Sequence, residues 1–333
     1  MTGGTLPLGP GGEFDRLRAV FRHLSPRLRG VGDDAALITV DGVRLAFSCD
    51  LAVEGRHFRL EWLTATEVGW RACAAALSDL AAVAAEPLGV LAAVGVPDGL
   101  DGEFLQWLMD GIVRAAGAAG AELWGGDLVR APQVTIDVTV VGRAERAVRR
   151  RGARPGDGLW VTGQLGAPRA AVAAWEAGLH PAPGLRERFA HPVPRIAESW
   201  WLRDHGATAM IDLSDGLVGD AGHLAAASGV RVEIAAERVP VHPAVEADEA
   251  VEADEAAEGG GAVGGALLLA LTGGEEYELL VAMPAKFGEA EAREFARSFD
   301  LPLTRIGVLA EGTEVIVVHD GQPLDLGGGF SHF

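Results

Sequence analysis

Seven acidic side chains stand in short segments punctuated by glycine and serine. Asp33 and Asp34 lie in Gly30-Val31-Gly32-Asp33-Asp34-Ala35-Ala36, Asp50 in Ser48-Cys49-Asp50, and Asp79 in Leu77-Ser78-Asp79-Leu80. Asp127 follows Gly125-Gly126, and Asp212 and Asp215 share Ile211-Asp212-Leu213-Ser214-Asp215-Gly216. Most of them close an apolar run, where a strand hands over to a loop or helix. Carboxylates brought together repel unless a cation neutralises them. Oxygen ligands without a Cys/His cluster suit Mg²⁺, and the nearby glycines suit phosphate. The leading chemistry is phosphoryl transfer from a nucleotide. A single Asp before Gly is usually a turn residue or an N-cap; the set of segments carries the argument.

Other phosphate and hydrolase chemistries find no support. The only lysine, Lys286, has neither the glycine before it nor the Ser/Thr after it that a P-loop requires. Gly30-x-Gly32 is followed by Ala35-Ala36 and lacks the third glycine of a dinucleotide fingerprint. No Gly-x-Ser-x-Gly elbow occurs. The histidines and tryptophans are most simply packed or surface residues.

The positioning elements follow from periodicity. Phe14, Leu17, Val20, Phe21 and Leu24 form a helical stripe. Strands are predicted at Leu37–Val40 and Val43–Ser48 around Asp41-Gly42. Thr64-Ala65-Thr66-Glu67 is a capping box opening an Ala-rich helix to about Ala85. Asp79 falls near the end of that helix, where an acid opposes the helix dipole and needs something to stabilise it, the expected partner being a cation. A strand over Leu88–Val96 and a helix over Phe104–Ala119 come next. Val134, Ile136, Val138 and Val140 alternate with polar residues as in a half-buried strand. The polar stretch Arg143–Asp157 reads as a domain junction. Beyond it, strands are predicted at Leu159–Thr162, Ala207–Leu213, Ala266–Leu271 and Glu278–Ala282. Helices are predicted at Pro168–Ala177, Pro194–His205 and Asp220–Ser228. Glu246–Glu258, EADEAVEADEAAE, reads as a solvated insertion without catalytic work. Gly125-Gly126-Asp127 and Gly273-Gly274-Glu275 each stand ahead of a strand, a weak rhyme between the halves.

The chain has 333 residues and a formal net charge of −19. So acidic a protein is a poor partner for nucleic acid or an anionic membrane. Two cysteines without metal-site spacing suit a reducing cytosol, and no uncharged apolar stretch reaches the ~20 residues of a spanning helix. The expected location is cytoplasmic.

The motifs GVGDDAALI, SCDLAVEGRHF, LSDLAAVAAEP, GGDL, RRGARPGDGLWVTG, IDLSDGL, LTGGEEYELL and GGGFSHF occur in this order. Together they resemble the thiamine-monophosphate kinase family. Its superfamily also holds aminoimidazole ribonucleotide synthetase, selenophosphate synthetase and hydrogenase-maturation protein E. The resemblance runs from about residue 13 to the C-terminus. It implies an α/β (α+β) class, two-domain synthetase-like fold. An N-terminal domain, 1–148, would bind ATP and Mg²⁺ and pair its mixed sheet across a homodimer. A C-terminal α/β sandwich, 149–333, would contain the acidic insertion 246–258. The implied reaction is ATP-dependent phosphorylation of thiamine monophosphate to thiamine diphosphate by direct in-line transfer. The implied metal ligands are Asp34, Ser48, Cys49, Asp50, Asp79, Asp127, Asp212 and Asp215, with Asp34, Asp50, Asp127 and Asp212 central to catalysis. The implied ATP contacts are Phe104, Gly126, Asp127, Arg150 and Ser214. Those to thiamine monophosphate are His57, Glu275 and Phe330. Three positions depart from the family pattern: Glu276 for Asp, Cys49 for Thr, and Val83-Ala84-Ala85 for Met-Gly-Ala. The alternatives are an aminoimidazole ribonucleotide synthetase-like enzyme or a non-catalytic nucleotide-binding subunit.

Overall fold

The computed structural model describes residues 6–9, 12–24, 31–100, 102–247 and 264–324. Phe330, the Gly-Phe-Ser-His-Phe ending and residues 248–258 of the acidic run lie outside the described residues. The chain divides into two compact units, one of residues 35–147 and 187–200, the other of the described residues within 1–34, 148–186 and 201–333.

In the first unit, β1 (Ala36–Val40) and β2 (Val43–Val53) form a hairpin. Asp41 and Gly42 both take positive φ, the geometry of a turn that matches strand twist. α2 (Ala65–Ala82) starts at the capping box read from the sequence: Thr64 Oγ1 accepts the Glu67 N–H, and the Glu67 carboxylate accepts the Thr64 N–H. β3 (Glu86–Val96), α3 (Gly102–Ala118), β4 (Glu122–Arg130) and β5 (Thr135–Arg143) complete the unit. The five strands lie in the order β1-β2-β5-β3-β4. Ile136, Val138 and Val140 are fully buried on the face where α2 packs, the expected product of their period-2 spacing. The other face is open. It exposes Ile38, Val40, Val43, Leu51 and Leu91, and the edge strand β4 exposes Trp124, Leu128 and Val129.

The second unit holds α1 (Gly12–Leu24), β6 (Gly158–Thr162), α4 (Ala167–Glu176), β7 (Ala209–Asp212), α7 (Leu217–Ser228) and β8 (Arg231–Ala235). After these come α8 (Pro243–Glu246), α9 (Gly265–Thr272), β9 (Leu279–Met283), α10 (Glu289–Phe299), β10 (Leu303–Ala310), β11 (Val315–His319) and β12 (Gln322–Pro323). The unit boundaries fall inside α5 (Pro183–Ala190) and α6 (Ile196–Asp204). The seven-stranded sheet runs β12-β11-β8-β10-β6-β9-β7, with β11 and β8 parallel. Its core includes Leu159, Val161, Ile211, Leu224, Ile234 and Ile306.

Two local expectations change. Ala266–Leu271, expected as a strand, is helix α9, packed on α7 and α4. Its Leu/Ala run holds no β-branched residue, so propensity favours the helix. Gly125-Gly126-Asp127 lies inside β4 rather than ahead of a strand. A register shift between Val90 and Leu91, opposite Gly125 with φ +151°, lets the strand continue through the glycines. Among the described residues no helix is long and apolar enough to cross a membrane.

Candidate active site

One carboxylate group is at the turn from β7 into α7. Asp212 closes β7 and is buried; Ser214 is exposed and Asp215 half-buried. Asp220, in the first turns of α7, is buried, and its Oδ2 accepts the backbone N–H of Ser214 and of Asp215, each at 3.1 Å. Ligand atoms of Asp215, Asp220 and His223 lie within 4.8 Å of one another. Burial pushes the Asp220 carboxyl well up, and the charges of Asp215 and Asp212 push it further. Burial, then the Arg150 charge, lowers His223 to about 4. The imidazole is therefore neutral near pH 7, and its Nδ1 accepts the Gly9 N–H at 3.0 Å. Three mutually repelling carboxylates with hard oxygen donors form a set that a divalent cation relieves, so these residues fit Mg²⁺.

Asp33 and Asp34 have cations of their own. Asp33 pairs with the Arg149 guanidinium and accepts the Arg150 backbone N–H at 3.0 Å. Arg150 Nη2 bonds Asp34 Oδ1 at 2.7 Å. Burial opposes the charge on Arg150, but Asp34, then Asp220 and Asp212, outweigh it and hold the guanidinium ionised. The sequence segment around Asp33-Asp34 contains no cation; the fold supplies two from Arg149-Arg150.

The segment Gly273–Glu278 lies backbone to backbone with this turn. Glu275 N–H bonds the Ser214 carbonyl, Tyr277 N–H the Leu213 carbonyl, and Leu213 N–H the Glu278 carbonyl, each at 2.8 Å. A Cβ on Gly274 would stand 2.5 Å from the Ser214 oxygen, so only glycine allows this approach. Glu275 and Tyr277 take φ of +69° and +53°, and the Tyr277 hydroxyl donates to Glu275 Oε2 at 2.5 Å. Glu276, the residue longer by a methylene than the family pattern, turns away and accepts the Gly166 N–H at the start of α4.

The first unit carries a second group. Ser48 Oγ donates to Asp79 Oδ2 at 2.5 Å, which joins β2 to the last turn of α2. This hydroxyl is a partner for the acid that opposes the helix dipole. The Cys49 thiol is pushed up by burial and then by Asp137, Asp50 and Asp79, so it stays protonated. His57 Nδ1 accepts the Val53 N–H at 3.0 Å just beyond β2. Phe104 is half-buried in the first turn of α3.

Asp127 is not brought to this group within the unit. Asp50 lies in register with Val138, Ala92 and Gly126, the row beneath the helices. Asp127 lies in register with Ala93, Asp137 and Leu51, the row of the open face. Three strand spacings separate β2 from β4, about 14 Å. Gly126 has a structural reason to be glycine, because a Cβ there would stand 1.7 Å from the Ala92 oxygen.

The AIR synthase related protein family matches this chain with its N-terminal domain at residues 32–144 and its C-terminal domain at 154–320. The thiamine-monophosphate kinase of Salmonella typhimurium is 34% identical over 337 residues, covering 97% of this chain and 98% of the relative. The chain belongs to the thiamine-monophosphate kinase family. The family's Mycobacterium tuberculosis member is 39% identical over 230 residues, 68% of this chain and 69% of its own. A solved structure, AaThiL complexed with AMPPCP and TMP, superposes with a TM-score of 0.82 at 31% identity and covers 97% of each chain. The two-domain α/β architecture of the thiamine-monophosphate kinase family is therefore the architecture of this chain.

Four residues of this arrangement were absent from the candidates read in the sequence: Arg149, Asp220, His223 and Tyr277. Asp220 had a signal, an acid five positions beyond Asp215 in the first turns of a helix. Tyr277, the only tyrosine in the chain, also stood in plain view.

Proposed function

We propose that this protein is a thiamine-phosphate kinase that transfers the γ-phosphoryl group of ATP directly to thiamine monophosphate, giving thiamine diphosphate and ADP. The observation that carries the reading is the junction of the Asp212–Asp215 turn with the Glu275 segment. It sets a carboxylate cluster fit for metal-bound phosphate beside a separate, partly exposed carboxylate fit for a cation. The acceptor offers both a phosphate and a cationic thiazolium ring, and relatives of this length bear the same name.

In this reading Mg²⁺, as several ions, would be held in one unit by Asp34, Asp212 and Asp215, and in the other by Ser48, Cys49 through its carbonyl, Asp50 and Asp79, with Asp127 apart from them on the sheet's other face. Bound there, it supplies the charge neutralisation that phosphoryl transfer needs. Gly126, Asp127, Arg150, Ser214 and Phe104 bind ATP, with Arg150 giving phosphate a charge-assisted bond. Glu275, His57 and Phe330 bind thiamine monophosphate, Phe330 by stacking on the cationic ring. The acceptor oxygen belongs to a phosphate that is already anionic near pH 7, so the residues need only orient it in line, and no general base is required.

Subunit contacts, and those nucleotide and metal contacts not made by Arg150, Asp212, Ser214 and Asp215, are assigned to residues 1–148 as part of the same proposal. The protein works as a homodimer through the open face and β4 edge of its five-stranded sheet, where large apolar side chains stand exposed. The reaction is placed in the cytoplasm, the compartment of its ATP. Chromatography after incubation with ATP, Mg²⁺ and thiamine monophosphate tests the reading: thiamine diphosphate should accumulate one-to-one with ADP. ADP formed without thiamine diphosphate would overturn it.

A further inference from the structure

We propose that Tyr277 is a positioning residue whose hydroxyl aims the Glu275 carboxylate at the cationic ring of the phosphate acceptor. The inference rests on the functional reading above and adds a residue to it. Glu275, Glu276 and Tyr277 are consecutive, and the first and third take left-handed φ. That conformation is costly for side chains other than glycine and is kept only where the surroundings fix it. Here they do, through the bonds from Glu275 N–H and Tyr277 N–H to the Ser214 and Leu213 carbonyls.

The result is a divergence of two neighbouring acids. Glu276 is buried and accepts the Gly166 N–H, so it serves the start of α4. Glu275 is only half-buried, and its Oε2 accepts the hydroxyl of buried Tyr277 at 2.5 Å. A hydrogen bond to an ionised acceptor is short and strong. It fixes the carboxylate's rotamer before any ligand arrives, which lowers the entropic cost of binding a cation there. The shared backbone bonds tie that carboxylate to Ser214, next to Asp215. The proposed ring contact and the proposed phosphate contact therefore stand on one hydrogen-bonded backbone frame.

The test is Tyr277→Phe, which deletes one oxygen and keeps the ring in its buried position. Thiamine monophosphate binding is read by calorimetry without ATP, and KM is measured for both substrates. The dissociation constant and KM for thiamine monophosphate should rise about tenfold, the size expected for a hydrogen bond to a charged group. KM for ATP and the melting temperature should stay near wild type. Glu275→Gln should show a similar loss, and the double variant should be no worse than the Glu275 variant alone. Unchanged thiamine monophosphate affinity in Tyr277→Phe, equal rises in both KM values, or additive losses in the double variant would overturn the role. A wild-type protein that forms no thiamine diphosphate would remove the functional reading and this proposal with it; a wild type that forms it beside an unaffected Tyr277→Phe would remove the proposal alone.

Discussion

Asp220 Oδ2 accepts the backbone N–H groups of both Ser214 and Asp215, at 3.1 Å each. One buried oxygen thus sets the turn that presents the site's hydroxyl and a carboxylate. Asp220→Ala leaves two amides without this acceptor, at a cost of about 1–3 kcal/mol each where they are buried. We predict at least a tenfold fall in kcat/KM for ATP. Asp220→Asn retains an acceptor oxygen and should recover most of that loss. Steady-state kinetics on the pair checks the prediction, and equal defects in the two variants would contradict it.

The Ser48–Asp79 bond predicts a coupling between metal and stability. Asp79 sits at the unfavourable end of α2, whose last turn has no basic residue. Mg²⁺ bound to it should raise the melting temperature by mass action. Asp79→Asn should lose most of that rise and, in chelator, be no less stable than wild type. Thermal melts with and without Mg²⁺ check this; a full Mg²⁺ response in the variant would take Asp79 out of the ligand set.

His223 gives a pH dependence of definite sign. Its value of about 4 in the folded protein lies below the ordinary 6.5. Between these values the unfolded chain binds a proton that the native imidazole refuses. This contribution to stability is complete above pH 6.5 and is lost as pH falls toward 4. It amounts to roughly 2–3 kcal/mol between pH 7 and 4.5. His223→Gln should flatten the urea-unfolding profile over that range by about this amount. A variant with the wild-type slope would contradict the assignment.

The exposed apolar side chains of β4 predict the assembly. Trp124, Leu128 and Val129 are each more than half exposed, at 52, 55 and 53%. Leu128→Asp should weaken subunit contact and move the mass measured by light scattering from twice 34.6 kDa toward one chain. A wild type that scatters as a monomer would contradict the proposed dimer surface.

Much of the fold was legible because its signals are local. The Thr64–Glu67 capping box, the Val134–Val140 alternation and the Asp41-Gly42 turn each specify geometry within a few residues. Ala266–Leu271 misled because an apolar run has no period of its own; it became a helix where α4 and α7 offered a surface. The candidate acids were visible as motifs, but their partners were not. Arg149 and Arg150 reach Asp33 and Asp34 across more than a hundred residues, and Asp127 is parted from Asp50 by strand order and by sheet face. Ala84 shows the same limit. It takes φ +52° after α2, with the Ala85 N–H bonding the Leu80 carbonyl as a helix terminus requires, although a glycine would suit the position better.

The most direct measurement is a coupled ADP-release assay with Mg²⁺ and ATP, comparing thiamine monophosphate, free thiamine and an aminoimidazole-pathway ribonucleotide. The account predicts ADP release with thiamine monophosphate alone, matched by thiamine diphosphate. Release with the ribonucleotide instead, or with no acceptor in the panel, would contradict it.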